Sequence, residues 1–220
     1  MLPKQENLNL ARELALEVLI NKNLKDRAKQ SGGHFKMEED GVPSITLEFL
    51  GQEVQISFAP GKVEIQAFQE PIGPREEVII FHYLGRSQGN QITGQWISFA
   101  EIPAGNFYHP VFLKRCQSPL VKFFGNDPDD LLQVAAFYGG SPIDFGDRGV
   151  KIQALPYVPI YFVLWAGDVD FGPAGTILFD SSINHYLTTE DIVVLTETIV
   201  WKLVKAKGKT RGTEGKGPSA

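Results

Sequence analysis

One stretch, residues 155–180, limits the fold more than any other part of the chain. It joins two strongly apolar runs, Ile160 to Trp165 and Thr176 to Phe179, through an acidic turn that is rich in glycine and proline. A third apolar run, Val150 to Leu155, comes just before them. Short runs that are apolar at nearly every position are typical of strands buried on both faces. We therefore predict that the three runs are central strands of a sheet.

The segment from Ser44 to Ile65 has a different periodicity. Apolar residues alternate with polar ones over 45–49 and again over 54–58, with a turn at Gly51-Gln52 between them. Val63 and Ile65 continue the alternation after Pro60-Gly61. This pattern predicts an antiparallel meander with one buried face, in the N-terminal half of the chain.

Five segments carry helical signals, and each has its own start or stop. They are Glu6–Asn21, in which Leu10, Leu14 and Val18 recur every four residues; Pro74–Gly85; the pair Val111–Phe124 and Asp129–Tyr138; and a last helix capped by Thr188 with an apolar stripe of Ile192, Leu195, Ile199 and Leu203. Residues 22–43 are polar and predict a loop or a frayed helix end, Thr93–Phe99 predicts an edge strand, and Asn106–His109 predicts an aromatic loop.

Together these signals predict a single α+β domain. It has a mixed or antiparallel sheet with an N-terminal β-meander, a helical pair on one face and a C-terminal helix. We expect an N-terminal helix and polar linker over residues 1–43, the α+β domain over 44–204, and a disordered basic tail over 205–220. The tail carries five basic residues against Glu214, a net charge of +4, and the total of -5 therefore leaves -9 for the rest of the chain.

Charge and composition restrict the class of protein. An acidic body lacks the concentrated basic surface that phosphate backbones require, so we expect no nucleic-acid partner. No apolar run approaches the roughly 20 residues of a membrane span, and no signal peptide is evident, so we expect a cytoplasmic protein without a membrane partner. Cys116 is the single cysteine and can form no internal disulfide or cysteine-based cluster by itself.

The best candidate site lies where the strand that ends at Trp165 gives way to Asp168 and Asp170. Carboxylates two residues apart can face one side of an extended chain, as cation binding or acid–base chemistry requires. His82, inside an apolar helical run, is a candidate proton donor. We predict His82, Trp165, Asp168 and Asp170 as ligand-binding residues. The alternatives are that both aspartates accept hydrogen bonds from turn amides and that His82 is a buried, hydrogen-bonded histidine.

Other chemistry has weaker support. The chain contains no phosphate-binding loop and no H-E-x-x-H, and it indicates no particular cofactor or metal site. Asp180, Glu190 and Asp191 form an acidic cluster in the sequence, for which helix capping is the alternative. Six aromatic residues are candidates for lining a pocket for a flat ligand or for ordinary core packing: Trp96, Phe107, Tyr108, Tyr157, Tyr161 and Trp165.

Several short runs also resemble a family whose function is uncharacterised. They are Tyr83-Leu84, Gly94–Phe99, Leu155–Pro159, Leu164–Asp168 with Asp170-Phe171, Leu178–Ser182 and Tyr186–Asp191. The resemblance covers roughly residues 45–204, and its most specific part is Leu164–Asp191. It implies a domain of unknown function of anaerobic bacteria and archaea, some members of which add a cysteine-rich iron–sulfur module. This chain lacks that module and has Val169 where relatives often have an acidic residue.

Three functional hypotheses follow. The first is a cytoplasmic protein that binds a small ligand or cofactor near the Asp168/Asp170 turn. The second is a metal-assisted enzyme that uses the acidic cluster. The third, by analogy with the relatives, is an accessory or adaptor protein for an iron–sulfur partner in anaerobic metabolism, with the acidic body meeting a basic surface.

Overall fold

The computed structural model describes the backbone of residues 5–214 and the side chains of residues 7–209. The α+β class is confirmed. The helices are α1 (Gln5–Ile20), α2 (Leu24–Gln30), α3 (Pro74–Arg86), α4 (Gly105–Phe112), α5 (Ser118–Phe124), α6 (Asp129–Ala135) and α7 (Thr189–Glu214). The strands are β1 (His34–Met37), β2 (Pro43–Phe49), β3 (Gln52–Ala59), β4 (Lys62–Ala67), β5 (Trp96–Ser98), β6 (Ser141–Ile143), β7 (Arg148–Leu155), β8 (Val158–Trp165) and β9 (Ala174–Asp180).

The strands form two antiparallel sheets rather than one. The first has the order β1-β2-β3-β4, which confirms the N-terminal meander, and the second has the order β5-β9-β8-β7-β6. The amide of Leu50 donates to the carbonyl of Ala154 at 3.1 Å and joins the two sheets. Leu50 and Gly51 form the β2–β3 turn with φ of 51° and 75°. The left-handed backbone costs energy at a leucine, and the bond to Ala154 and the burial of the side chain offset that cost.

The second sheet contains the predicted central strands. Seven of the eight residues of β8 are buried, and the predicted edge strand at residues 93–99 is confirmed as β5. Leu164 faces α5, because a Cβ on the opposite residue, Gly175, would meet both Leu164 and Val121. The helical pair therefore covers this face, as predicted. Since side chains alternate along a strand, Tyr161 and Trp165 point to the other face of the sheet.

The prediction of a loop over residues 22–43 is wrong. Asn23 caps α2 by accepting the amide of Asp26 at 3.1 Å, and β1 pairs with β2, with His34 opposite Thr46. Strand β1 is an edge strand whose side chains are mostly exposed, so its polar composition hides it from pattern reading.

Helix α1 is confirmed, but its four-residue repeat of apolar residues is not its buried face. Leu10, Leu14 and Val18 are each more than half exposed, whereas Ala15 and Leu19 are buried. The rotation of the helix is fixed by Arg12, which pairs with Glu77 of α3 and donates to the carbonyl of Val63 at 2.8 Å. The sequence of α1 contains two apolar rows, and contacts with residues outside the helix determine which row is buried.

The expectation of an aromatic loop at residues 106–109 is also wrong, because α4 begins at Gly105. A wider π-helical turn, Leu113–Gln117, connects α4 to α5, and the amide of Ser118 reaches back five residues to the carbonyl of Leu113. Pro119 has no N–H for the carbonyl of Arg115, which explains the departure from α-helical bonding at this point. The turn directs Cys116 into the core, where burial raises the pKa of its thiol.

Helix α7 confirms the predicted cap and stripe. Thr188 and Asp191 bond each other's backbone amides through their side chains, and Ile192, Leu195, Ile199 and Leu203 are fully buried. The helix continues to Glu214, and Lys207 pairs with Asp130 within the segment for which a disordered tail is predicted. Residues 215–220 lie outside the described part of the chain. Among the described residues, no helix is both long and apolar enough to cross a membrane.

Candidate functional site

The richest combination of ionisable groups lines a cleft of about 820 Å³ between α1, α3, the π-helical turn and α7. We call it the charged cleft. Its ionisable lining residues are Arg75, His82, Arg115, Glu190, Asp191 and Glu197. Helix α1 contributes an uncharged wall of Asn7, Leu8 and Ala11. The volume is that of an ordinary small-molecule site.

His82 and Asp191 form a hydrogen-bonded pair on one side of the cleft. Nδ1 of His82 lies 2.7 Å from Oδ1 of Asp191, and the other oxygen of Asp191 accepts the hydroxyl of Thr188 at 2.6 Å. Burial by itself would raise the pKa of Asp191, but the hydrogen bond and charge of His82 and the bonds from Thr188 outweigh it, and the pKa is lowered. An ionised carboxylate only accepts, so Nδ1 of His82 carries a hydrogen and Nε2 is left for other partners.

Two arginines from different elements share one carboxylate on the other side of the cleft. Glu197 Oε2 accepts from Nη2 of Arg115 and, at 3.4 Å, from Nη1 of Arg75. The hydrogen bond to Glu197 raises the pKa of Arg115. The side chain of Glu197 is 16% exposed, and those of Arg75 and Arg115 are 25% and 35% exposed. One carboxylate cannot use the five N–H donors of each guanidinium, so the triad has spare donors and a net charge of +1.

The structure separates the four residues predicted to form one site. His82 lines the charged cleft, whereas Trp165 ends β8, Asp168 and Asp170 lie in the β8–β9 turn, and none of these three residues lines that cleft. Asp168 accepts the amides of Asp170 and Phe171 at 2.8 and 2.7 Å, which lowers the pKa of its carboxyl. The alternative of a hydrogen-bonded turn thus holds for Asp168. Asp170 is exposed.

Three of the six candidate pocket aromatics lie together on the face of the second sheet opposite the helices. Trp96 contacts Tyr161 with ring centroids 4.4 Å apart, and Phe145 contacts Trp96 at 5.6 Å and Trp165 at 6.0 Å. We call these four rings the aromatic face. Of the other candidates, Tyr157 stacks on the buried Tyr186, and Phe107 and Tyr108 lie on the surface of α4.

The predicted acidic cluster is divided as well. Asp180 is fully buried, and its carboxylate accepts from Thr93, Gly94 and Ser182, whereas Asp191 belongs to the charged cleft. Among the described side chains, no three His, Cys, Asp or Glu residues come together in an arrangement that could hold a metal ion.

A second hollow, of about 400 Å³, lies beside Leu50, Tyr138 and Lys202. The amine of Lys202 is 3.1 Å from carboxylate oxygens of both Glu70 and Glu76. Its cation is thus matched by two carboxylates within the chain. The charged cleft offers more unused hydrogen-bonding capacity, and we treat it as the candidate functional site.

Sequence reasoning missed Arg75, Arg115 and Glu197. They come from three helical segments that are far apart in the chain, and no spacing rule connects them. Only contacts among these three segments in the fold bring the residues together. Asp191 was recognised as a helix cap, and this role is correct but incomplete, because the same carboxylate also holds His82.

The chain matches the model of a known family. The model of a domain of unknown function, DUF3786, matches residues 23–202. The chain belongs to the DUF3786 family. The predicted resemblance to an uncharacterised family is confirmed to that extent, and the DUF3786 match begins earlier than the predicted resemblance, at the cap of α2. No curated protein and no solved structure matches the chain.

The charged cleft is built largely from this DUF3786 domain. The matched residues supply both arginines, both carboxylates that hold them or His82, and His82 itself. Helix α1 lies before the matched residues and adds only the uncharged wall.

Proposed function

We propose that this protein binds a small ligand with an anionic group in the charged cleft and exchanges a proton with it through His82. The observation that carries the proposal is the triad of Arg75, Arg115 and Glu197 opposite the His82–Asp191 pair. Both halves border one cavity of suitable volume.

The arginines supply the recognition. Guanidinium groups bind carboxylates and phosphates through paired N–H donors, and such charge-assisted bonds are about twice as strong as neutral ones. Glu197 holds both groups before a ligand arrives, which reduces the entropy lost on binding. Glu190 is exposed on the same cleft and reduces the positive potential around Arg115.

His82 supplies the proton chemistry. Asp191 orients the imidazole through Nδ1, as a carboxylate does for a catalytic histidine in many enzymes. Neutral His82 can accept a proton at Nε2, and protonated His82 can donate one there. His82 is thus kept as a ligand-binding residue, and the ligand lies in the cleft rather than at the Asp168/Asp170 turn.

Two substitutions in the triad are expected to change anion binding in opposite directions. Arg115→Gln removes a donor group and is expected to weaken binding of succinate or inorganic phosphate about tenfold. Glu197→Gln removes the internal competitor and is expected to strengthen it. Calorimetric titration at constant ionic strength measures both effects, and thermal unfolding with each probe checks them, since binding at 100 times the dissociation constant adds about 2.7 kcal/mol.

Arg148→Gln is the matched control, because Arg148 pairs with Asp129 at the surface and does not line the cleft. Equal weakening by Arg148→Gln and Arg115→Gln would show that the anion responds to overall charge only. Weaker binding in Glu197→Gln would contradict the competition on which the site depends.

The adaptor hypothesis stays a prediction. No specific observation supports an iron–sulfur partner. A metal-assisted reaction at the acidic cluster also stays a prediction. Asp180 and Asp191 are each hydrogen-bonded within the chain and belong to different sites.

A further inference from the structure

The aromatic face is an exposed apolar surface on an otherwise well-buried sheet. Trp96, Phe145 and Trp165 are 37%, 42% and 37% exposed, and Tyr161 beneath them is 5% exposed. The rings already contact one another, so their positions are fixed in the free protein. Contiguous exposed apolar surface of this kind marks interaction sites more often than single exposed residues do.

Four carboxylates lie next to two rings of this face in the chain. Asp144 and Asp147 flank Phe145, and Asp168 and Asp170 follow Trp165 in the β8–β9 turn. The two segments are held together, because Asp147 accepts the amide of Ala166 at 2.8 Å. We call these four aspartates the acidic rim.

Few cations balance the rim. Lys151 lies opposite Tyr161 on β7, on the same face. The guanidinium of Arg148 is engaged by Asp129 and by the carbonyl of Asp147. Within residues 144–151 and 165–170, the four carboxylates thus exceed the single remaining cation, Lys151, by three charges. The surface therefore combines electron-rich ring faces with negative potential, and both attract a cation.

We propose that the aromatic face and its acidic rim dock a basic segment of a partner protein, with an arginine or lysine of that segment stacked on Trp165 or Trp96. Charge complementarity selects this occupant, because a neutral apolar partner would leave the rim carboxylates desolvated without compensation. Trp and Tyr on one side and Arg on the other are also the residues that dominate interface energies. This inference is independent of the charged cleft.

A short peptide of alternating arginine and glycine is a suitable probe of the full chain, by calorimetric titration at low and physiological salt. We expect Trp165→Ala to weaken its binding about tenfold. We expect the double variant Asp144→Asn/Asp170→Asn to weaken it about fivefold at low salt, and less at high salt. Trp165→Phe keeps a ring in place and is expected to stay within about twofold of the wild type, which separates loss of the ring from loss of the fold.

The double variant Glu48→Gln/Glu53→Gln is the matched control, since these exposed residues face each other on the first sheet and carry the same charge. An equal loss in this control would overturn the proposal, because the peptide would then sense only net charge. Equal binding of a glutamine–glycine peptide, or unchanged binding by Trp165→Ala, would overturn it as well. Self-association that Trp165→Ala abolishes would identify a second copy as the occupant instead.

Discussion

Replacing Asp180 by asparagine is expected to lower the free energy of unfolding by about 3 kcal/mol. One carboxylate oxygen accepts from Thr93 and Ser182, and the other accepts the amide of Gly94 at 2.7 Å. An asparagine side chain has one acceptor oxygen and one donor NH₂ group. Its NH₂ group would therefore face N–H or O–H donors at one of the two oxygen positions, and those donors would lose their acceptor. Equilibrium denaturation of the wild type and the variant measures the difference.

Low pH should reduce the difference in the free energy of unfolding between the wild type and Asp180→Asn. Burial alone would raise the pKa of Asp180, but the hydrogen bonds from Ser182 and Thr93 outweigh it, and the pKa lies below its ordinary value of 3.8. A lowered pKa in the folded state stabilises the protein above the unfolded-state pKa, and this stabilisation is lost as the pH falls through the folded-state pKa. The gap between wild type and Asp180→Asn should thus be complete above about pH 5 and narrow below about pH 4.

Asp170→Ala is the control for removing a carboxylate, here from the β8–β9 turn. Asp170 is exposed, and we expect its loss to change stability by less than about 0.5 kcal/mol. A small effect of Asp180→Asn together with loss of a bound ligand or metal would assign Asp180 to a functional site rather than to the anchoring of the β5 edge.

The second large effect concerns the orientation of α1. Leu19→Ala is expected to cost about 3 kcal/mol, because Leu19 is fully buried and truncation leaves a cavity. Leu14→Ala makes the same chemical change at a residue that is 54% exposed, and it should cost less than about 0.5 kcal/mol. Denaturation curves of the two single variants give a direct comparison.

A reversed order of these two effects would mean that α1 packs with its Leu10–Leu14–Val18 row inward. Such a result would also remove Leu8 and Ala11 from their place in the wall of the charged cleft. The pair of variants therefore tests the architecture around the candidate site as well as the helix.

The strands could be predicted where their apolar pattern was strong. The runs that became β8 and β9 are apolar at nearly every position, and the run that became β7 alternates apolar residues with Lys151 and Gln153. Edge strands β1 and β6 escaped prediction because their backbone bonds, rather than apolar side chains, hold them in the sheets. The π-helical turn was not predicted either, although Pro119 is its local cause. Where the turn places Arg115 depends on the surrounding helices.

The candidate site could be predicted only in part. His82 was identified as one of few groups able to move a proton near neutral pH, but its partner Asp191 is 109 residues away in the chain. Trp165, Asp168 and Asp170 were grouped with it on the strength of residue type. In the fold, Trp165 belongs to the aromatic face, and Asp168 and Asp170 belong to its acidic rim.

The sequence by itself determined the class of this protein: an acidic α+β domain with central strands between Val150 and Asp180 and a capped C-terminal helix. Local periodicity and capping chemistry depend on neighbours in the chain, and they were sufficient for these elements. The tertiary structure alone decided which face of α1 is buried, that Arg75 and Arg115 meet at Glu197, and that the aromatic rings share a surface. These contacts join residues far apart in sequence, and their geometry is set by packing and sheet register rather than by local pattern.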